Sequence, residues 1–281
     1  MPSPPCKITV LGSGTSVGVP TIGCHCDVCT SQDARDKRLR PSILVSFEDR
    51  NVLIDTTPDL RTQALRARID HLDAVIFTHS HADHLMGLDD VRPFNFRQKG
   101  QIPIFASPET MAAIQRCFQY IFDNGKKESN VPKLDARVLD GTSFDVFGME
   151  FTPIPILHGS QTIFGFRFGS AAYLTDHSEI PELSMEMLKG LDVLFLDALA
   201  TSRTRRIPPW SAPSARWINW RRTGHSSPIS VTTWGISGRR ACCRRTSGWR
   251  MTAWKSRWEA ARRCRSIAAW RRFRAISDRA R

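Results

Sequence analysis

One seven-residue segment constrains this chain more than any other. Residues 78–84 have the sequence Thr-His-Ser-His-Ala-Asp-His and follow a short apolar run at residues 73–77, which predicts a buried strand. The loop at the carboxyl end of such a strand is where open α/β sheets place their sites. Four potential metal ligands lie on it: His79, His81, Asp83 and His84. This mixed set exceeds the three protein ligands that one tetrahedral catalytic ion needs and therefore predicts two metal ions rather than a solvated polar loop.

A second cluster of ligand types lies near the start of the chain. Cys24, Cys26 and Cys29 have C-x-C-x2-C spacing, and three thiolates can bind one side of a tetrahedral zinc ion. His25 stands between two of them, so geometry disfavours it as the fourth ligand, which must come from elsewhere. The alternative is three buried free thiols. In a reducing compartment, clustered cysteines favour a metal site over a disulfide framework.

The apolar patterning predicts an alternation of strands and helices. A helix opens at Ser107 and Pro108 and carries an apolar stripe of Met111, Ile114, Phe118 and Ile121, which is expected to be core. Residues 58–67 predict another helix, and residues 124–131 predict a surface loop. Residues 12–18 predict a glycine-rich turn, whose glycines leave room for close backbone approach near the metals. Strands are predicted at residues 6–11, 42–47, 51–54, 102–106, 151–157, 171–174 and 191–196.

The H-x-H-x-D-H segment is the signature of the metallo-β-lactamase superfamily, and other segments extend the resemblance. They are Gly-Ser-Gly-Thr-Ser at residues 12–16, Ile-Asp-Thr at 54–56 and Gly-Leu-Asp-Asp-Val-Arg-Pro-Phe-Asn at 87–95. Over about residues 6–199 the chain resembles the phosphoribosyl 1,2-cyclic phosphate phosphodiesterase branch. The resemblance implies the fold class α/β (α+β), as a four-layer αββα metallo-β-lactamase-like sandwich.

The resemblance also implies the roles of individual residues. His79, His81 and His158 are similar to the ligands of one metal ion, Asp83 and His84 to those of the other, and Asp176 to the carboxylate that bridges them. A lone His or Asp is more often structural, but His158 and Asp176 each follow a predicted strand in the order that the superfamily uses. His177 is not part of that pattern. Asp83 and Asp176 also form the expected catalytic set.

Supporting and structural roles follow from the same resemblance. Asp55 is expected to orient a ligating histidine from behind, the usual role of a carboxylate beside a metal ligand. The implied cofactors are two divalent metal ions, zinc or manganese, at the active site and one structural zinc. Cys24, Cys26 and Cys29 would hold the structural zinc together with a histidine from the C-terminal part of the chain. The spacing does not distinguish zinc from manganese or iron.

Composition divides the chain at residue 199. Residues 200–281 contain 20 Arg and 1 Lys against 1 Asp and 1 Glu, a net charge of +19, and hold all 8 tryptophans. Residues 1–199 contain 19 basic and 25 acidic residues, a net charge of −6. The expected domains are therefore an incomplete metallo-β-lactamase-like hydrolase domain at 1–199 and an Arg/Trp-rich tail at 200–281. Interleaved basic and aromatic residues would suit nucleic acid, which is one interpretation of the tail.

A reading-frame error is the other interpretation of the tail, and the one that we favour. Through permitted codons in a shifted frame, residues 200–209 yield a His-Pro-Thr-His segment, residues 224–236 a Thr-His-x-x-His segment and residues 245–258 a Tyr-Asp-Gly segment. Relatives of this branch carry these three segments in this order. One base lost just after the Leu199 codon accounts for all three. The tail is then out of frame and expected to be disordered, and the chain lacks two C-terminal histidine ligands.

These observations predict a metal-dependent phosphodiesterase that opens a cyclic or small phosphodiester with a metal-bridging hydroxide. Its activity is expected to be impaired by the loss of the C-terminal ligands. The alternatives are a tRNA 3′-processing-type nuclease, a β-lactamase, and a non-catalytic remnant that binds nucleic acid through its basic tail. We expect a small phosphodiester as the partner, with nucleic acid disfavoured and no membrane. The oligomeric state stays open, a homodimer included. Residues 1–10 lack the apolar core of a signal peptide, so the expected location is cytoplasmic.

Overall fold

Two β-sheets account for most of the chain in the computed structural model. The structure describes residues 4–123 and 130–199, together with two strand segments, Ala215–Arg221 and Ser230–Trp234. All of these residues lie in one compact unit, Met1–Arg244. Among them, no helix combines the length and the apolar character that crossing a bilayer requires.

The first sheet has six strands that follow one another in chain order. Its strands are β1 (Cys6–Gly12), β2 (Ser42–Phe47), β3 (Arg50–Ile54), β4 (Ala74–Ile76), β5 (Ile102–Ala106) and β6 (Leu134–Val138). The pairs β1–β2 and β2–β3 are antiparallel, whereas β3, β4, β5 and β6 are parallel. The carboxyl ends of β3 and β4 therefore lie at the same edge, which brings Asp55 and the histidine-rich loop together.

The second sheet has seven strands. In chain order they are β7 (Phe144–Val146), β8 (Met149–His158), β9 (Gln161–Phe168), β10 (Ala171–Leu174), β11 (Val193–Leu199), β12 (Ala215–Arg221) and β13 (Ser230–Trp234). Only β10 and β11 are parallel neighbours, with Leu174 opposite Leu196. Asp176 and His177, which follow β10, and Asp197, near the end of β11, are thus neighbours at one edge of the sheet.

Helices cover the outer faces of both sheets. They are α1 (Leu60–Ala67), α2 (Ala82–Leu85), α3 (Arg92–Gln98), α4 (Pro108–Cys117), α5 (Gln119–Phe122) and α6 (Glu182–Met187). The start of α4 follows from its sequence, since the Ser107 side chain accepts the Thr110 N–H and Pro108 occupies the first turn. Short 3-10 turns lie at Ala34–Asp36 and Leu88–Val91.

Successive side chains along each strand point to opposite faces of the sheet and therefore pack into different cores. Between the sheets, residues such as Ile54 and Ile76 pack against Phe151, Phe166 and Tyr173. The opposite face of the first sheet packs against the helices, and there the predicted stripe of Met111, Ile114, Phe118 and Ile121 is buried. The outer face of the second sheet packs around Ile154, Ile156 and Leu174 beside α6. This order of layers, helix, sheet, sheet, helix, confirms the predicted αββα sandwich.

The predicted strands and helices have counterparts in the structure within a few residues. These predictions are at residues 6–11, 42–47, 51–54, 58–67, 102–106, 151–157, 171–174 and 191–196. The glycine-rich turn makes its close approach to the backbone of residues 38–40, where a Cβ on Gly12 would lie 1.8 Å from the Arg40 carbonyl oxygen. The predicted surface loop at 124–131 lies mostly outside the described residues. Within residues 4–199, three strands were not predicted: β6, β7 and β9.

The tail was predicted to be disordered, and most of it lies outside the described residues. Two of its segments are strands in the structure: β12 pairs with β11 and β13 pairs with β12, both antiparallel. For these two segments the prediction was wrong. Ser-Val-Thr-Thr-Trp at 230–234 consists largely of β-branched and aromatic residues, which favour strands whatever the reading frame they come from.

Candidate metal centre

The histidine-rich loop begins where β4 ends. The Phe77 N–H donates to the Phe105 carbonyl at 2.8 Å, which extends the pairing of β4 with β5 up to the first ligand. The chain then turns into α2, where the His84 N–H donates to the His81 carbonyl at 3.0 Å. This short helix directs His84 back into the protein, fully buried, whereas His81 lies before its first turn and is partly exposed.

A first group of ligand atoms comes from three histidines. The side chains of His79, His81 and His158 place one nitrogen each within 4.8 Å of the others. His158 Nε2 lies 3.3 Å from His81 Nδ1. His158 is the last residue of β8, so this group joins a loop of the first sheet to a strand of the second. The structure thus brings together the three residues predicted to share a metal ion.

A second group shares His79 with the first. His79, His84 and Asp176 also place their ligand atoms within 4.8 Å of one another. Asp176 Oδ2 lies 2.7 Å from His84 Nε2 and 3.5 Å from His79 Nε2, and Asp83 Oδ2 lies 3.3 Å from His84 Nε2. All six residues predicted to bind the two ions therefore lie at one place, with His79 common to both groups. Their roles as ligands, and that of Asp176 as a bridge, stay predictions.

Asp55 holds this loop from behind. It lies directly after β3, is fully buried, and has a backbone φ of +67°. Its Oδ1 accepts the Thr78 N–H, and its Oδ2 accepts both the Thr78 hydroxyl and the Nδ1–H of His84, each at 2.8 Å. The carboxylate therefore holds the ring of His84 with Nε2 directed at Asp176, and its role in orienting a metal ligand stays a prediction.

The protonation of His79 fits a metal ligand. Because the Thr78 hydroxyl donates to Asp55, its oxygen accepts the Nδ1–H of His79, which lies 3.0 Å away. His79 Nε2 then carries a lone pair, is buried, and has no hydrogen-bond partner. Burial, together with the neighbouring His84, lowers the pKa of His79 to about 2, so the ring stays neutral. A buried, unprotonated nitrogen beside a carboxylate is what a divalent cation requires.

His84 and Asp176 carry complementary charges. Burial opposes the charged form of His84, but the Asp55 charge and the hydrogen bond to Asp176 raise its pKa well above the ordinary value. Burial alone would raise the pKa of Asp176, but the hydrogen bond and charge of His84 outweigh it and lower this pKa to about 2. A proton on His84 Nε2 lies between His84 and Asp176, where a metal ion would have to replace it.

The cysteine cluster forms a separate group. Cys24, Cys26 and Cys29 place their sulfur atoms within 4.8 Å of one another, and Val19 and Val28 pack around them. Cys29 Sγ accepts the Thr21 N–H at 3.4 Å, and burial is the main cause that raises the pKa of its thiol. The three sulfurs are close enough to bind one ion, as predicted. Any fourth protein ligand belongs outside this group, since the described residues place only these three ligand types there.

Two residues beside the centre were missed as site candidates. His177 follows Asp176 directly, and its Nδ1 hydrogen-bonds Asp197 Oδ1. Asp197, at the end of β11, is buried. Asp197 could have been noticed as an acidic residue at a strand end, but its pairing with His177 depends on the parallel register of β10 and β11, which the sequence does not display.

Comparison with known proteins agrees with this geometry. A family described as the beta-lactamase superfamily domain matches residues 50–235. The chain belongs to this family. A solved structure described as a new diphosphatase from the PhnP family is 49% identical, with a TM-score of 0.66, and the match covers 71% of this chain and 77% of that one. The superfamily and the phosphodiesterase branch predicted from the sequence are thereby confirmed, and the chain has the metallo-β-lactamase fold.

Longer relatives share only this domain. An octanoyltransferase of Porphyromonas gingivalis is 39% identical over 194 residues, and a ribonuclease Z of Bradyrhizobium diazoefficiens is 27% identical over 163 residues. The match covers 69% and 57% of this chain but only 39% and 49% of those proteins. Zinc-bound PqqB from Methylobacterium extorquens, 23% identical with a TM-score of 0.54 over 68% of this chain and 72% of that one, shares the fold.

Proposed function

We propose that this domain is a dinuclear metal-dependent phosphodiesterase that opens a cyclic or small phosphodiester. The observation that carries the proposal is the position of His79, whose unprotonated Nε2 has no partner and belongs to both ligand groups. Two groups that meet at the buried His79, with Asp176 Oδ2 3.5 Å from its Nε2, favour two ions close together over two independent sites. The 49% identity to a diphosphatase of the PhnP family supports a phosphate ester as the substrate.

The chain's own residues have distinct parts in this proposal. His79, His81 and His158 would hold one ion, and Asp83, His84 and Asp176 the other. Divalent ions bound there, zinc or manganese, supply Lewis acidity toward phosphoryl oxygens and make water a nucleophile near neutral pH. Asp55 keeps the His84 ring in the orientation that presents Nε2. The buried position of His79 and His84 excludes bulk water from one side of the centre.

Hydrolysis of bis(p-nitrophenyl) phosphate and of a 2′,3′-cyclic nucleotide tests the proposal. We expect activity that depends on added zinc or manganese, is abolished by a chelator and is lost in His79→Ala. His71→Ala is the matched control, because His71 precedes β4 whereas the ligands follow it, so this variant removes an imidazole at the far end of the same strand. Metal content that is unchanged in His79→Ala would contradict the assignment of the centre.

We further propose that the chain as written has impaired activity because two histidines are missing. The first histidine of the Thr-His-x-x-His segment in the shifted frame would complete the second metal site, and the second would close the zinc of the cysteine cluster. Sequencing the gene across codons 196–204 from source DNA tests the frame. Restoring it should raise the metal content and increase kcat/KM by about 10²-fold or more, since even residues that only support a ligand contribute about 10–100-fold. An unchanged rate after restoration refutes the impairment.

A tRNA 3′-processing nuclease is the second candidate, favoured by the ribonuclease Z relative. The two functions separate in one experiment with the frame-restored protein. A phosphodiesterase for small substrates hydrolyses the cyclic nucleotide and leaves a precursor tRNA intact, whereas the nuclease cleaves the precursor at its 3′ end.

A further inference from the structure

The segment after β10 places Asp176 in a backbone conformation that needs support. Asp176 has a φ of +56°, in the left-handed region that side chains rarely adopt. Its carboxylate nevertheless lies 2.7 Å from His84 Nε2 and 3.5 Å from His79 Nε2. Contacts made by neighbouring residues must hold residues 175–179 in this turn, because the Asp176 carboxylate itself points toward His79 and His84.

On one side, the turn is attached to β11. His177 Nδ1 hydrogen-bonds Asp197 Oδ1, and the His177 backbone N–H points at the same oxygen from 3.5 Å. The Asp197 carboxylate is 1% exposed and its Oδ2 has no hydrogen-bond partner. Burying a charged carboxylate costs free energy unless a partner compensates the charge. The buried Asp197 carboxylate therefore needs a partner that is itself held in place. His177 is that partner, and it directly follows Asp176.

On the other side, the same turn is attached to β8. The Ser178 N–H and hydroxyl both donate to the Leu157 carbonyl, at 2.7 and 3.0 Å, and the Gly159 N–H donates to Ser178 Oγ at 3.0 Å. Leu157 and Gly159 flank His158, a member of the first ligand group. The turn is therefore held at His177 and at Ser178, and Asp176 is the residue just before them.

We propose that His177 and Asp197 are a positioning pair that fixes the Asp176 carboxylate between His79 and His84. The pair does not touch the ligand atoms of the centre. It acts through the backbone of Asp176, which cannot leave its turn while the His177 ring is bound to β11. The inference rests on the proposed function for the presence of metal ions and on the structure alone for its geometry. The positioning role and the proposed function can therefore be tested separately.

Metal affinity in the full-length chain is the first test. His177→Ala should weaken zinc and manganese binding by about 10–100-fold, the range observed when partners behind metal ligands are removed. His177→Asn should restore affinity, because the asparagine amide can donate to Asp197 from nearly the position of Nδ1. His71→Ala removes a histidine bound to Asp70 far from the centre, and it should leave the affinity unchanged.

A double-mutant cycle separates positioning from a general loss of structure. If His177 and Asp197 act as one unit, then His177→Ala, Asp197→Ala and the double variant should lose similar affinity, since the second change removes nothing further. Additive losses, or an affinity in His177→Asn as low as in His177→Ala, would overturn the proposal.

The second test needs no metal. Histidine ¹⁵N NMR of the metal-free chain reports the hydrogen bond between His84 Nε2 and Asp176. We expect its signal in the parent and in His177→Asn and its loss in His177→Ala. A signal that persists in His177→Ala refutes the positioning role even if no variant binds metal. Failure of the parent to bind zinc or manganese, with the expected NMR result, instead refutes the proposed function and leaves the positioning pair established.

Discussion

Replacing Asp55 by asparagine tests whether one buried carboxylate sets the orientation of a metal ligand. Asp55 Oδ2 accepts the Nδ1–H of His84, and Oδ1 accepts the Thr78 N–H, both at 2.8 Å. An asparagine can keep the bond to Thr78 through its carbonyl oxygen, but its amide N–H then points at His84 Nδ1. To bind a metal the ring must lose one proton: in the parent it can lose the Nε2 proton and keep Nδ1–H bonded to Asp55. Beside asparagine, Nδ1 accepts the amide N–H instead, so the one remaining ring proton stays on Nε2, the nitrogen that faces Asp176.

The size of the effect follows from these contacts. A proton on His84 Nε2 removes the lone pair that a metal needs, and we expect zinc affinity to fall by at least about 10–100-fold. Stability should fall less, by about 1–2 kcal/mol, because a hydrogen bond to a charged group is replaced by a neutral one. Asp55→Ala removes all three bonds and leaves a buried histidine without its partner, for which we expect about 3–5 kcal/mol.

Chelator competition measures the zinc affinity, and urea unfolding followed by far-ultraviolet circular dichroism measures the stability. Tryptophan fluorescence is unsuitable, since all 8 tryptophans lie in the tail, from Trp210 onward. The reasoning is refuted if Asp55→Asn keeps the zinc affinity of the parent, or if it loses as much stability as Asp55→Ala while binding zinc normally.

Three further outcomes follow from single contacts. The hydrogen bond to Asp70 raises the pKa of His71 in the folded state. The stability that this bond contributes is therefore fully present below the unfolded-state pKa and is lost as pH rises through the folded-state pKa. His71→Gln should flatten this pH dependence of the unfolding free energy, measured by urea titration. Cys24→Ser should weaken zinc retention on dialysis against a chelator, whereas Cys117→Ser, at an exposed cysteine, should not. A Cβ on Gly87 would lie 2.0 Å from the Thr57 carbonyl oxygen, so Gly87→Ala should lower the unfolding free energy by about 1–3 kcal/mol, measured in urea.

The residues predicted as ligands lie close together in the structure, and most of them lie at or just after the end of a strand with a clear apolar pattern. His79 follows Ala74–Ile76, His158 ends Met149–His158, and Asp176 follows Ala171–Leu174 by one residue. Parallel strands bring their carboxyl ends to one edge of a sheet, but these residues come from two sheets, and the choice of His158 and Asp176 followed from the resemblance to the superfamily. The role of Asp55 behind the loop was implied by the same resemblance, and the parallel pairing of β3 with β4 places it there.

The missed elements have equally physical causes. Strand β6 (Leu134–Val138) is short and largely exposed at the edge of its sheet, so its alternation is a weak signal, and β7 (Phe144–Val146) has only 3 residues. Register between distant strands is also invisible in the sequence. The pairing of His177 with Asp197 spans 20 positions and depends on Leu174 lying opposite Leu196. Contacts of this kind are set by the packing of the whole sheet, not by any local pattern.

The position of the centre ties its chemistry to the stability of the domain. His79, His81 and His84 follow a strand of the first sheet, and His158 and Asp176 come from the second, so a metal ion there would join the two layers beside the apolar core that they share. Without a metal, the fully buried His84 shares a proton with Asp176, and His79 Nε2 has no partner. Burying such groups is costly unless they are paired, and an ion would pair them all at once. Because a metal that binds only the folded state stabilises it, adding a chelator should lower the unfolding free energy of the whole domain, measured in urea.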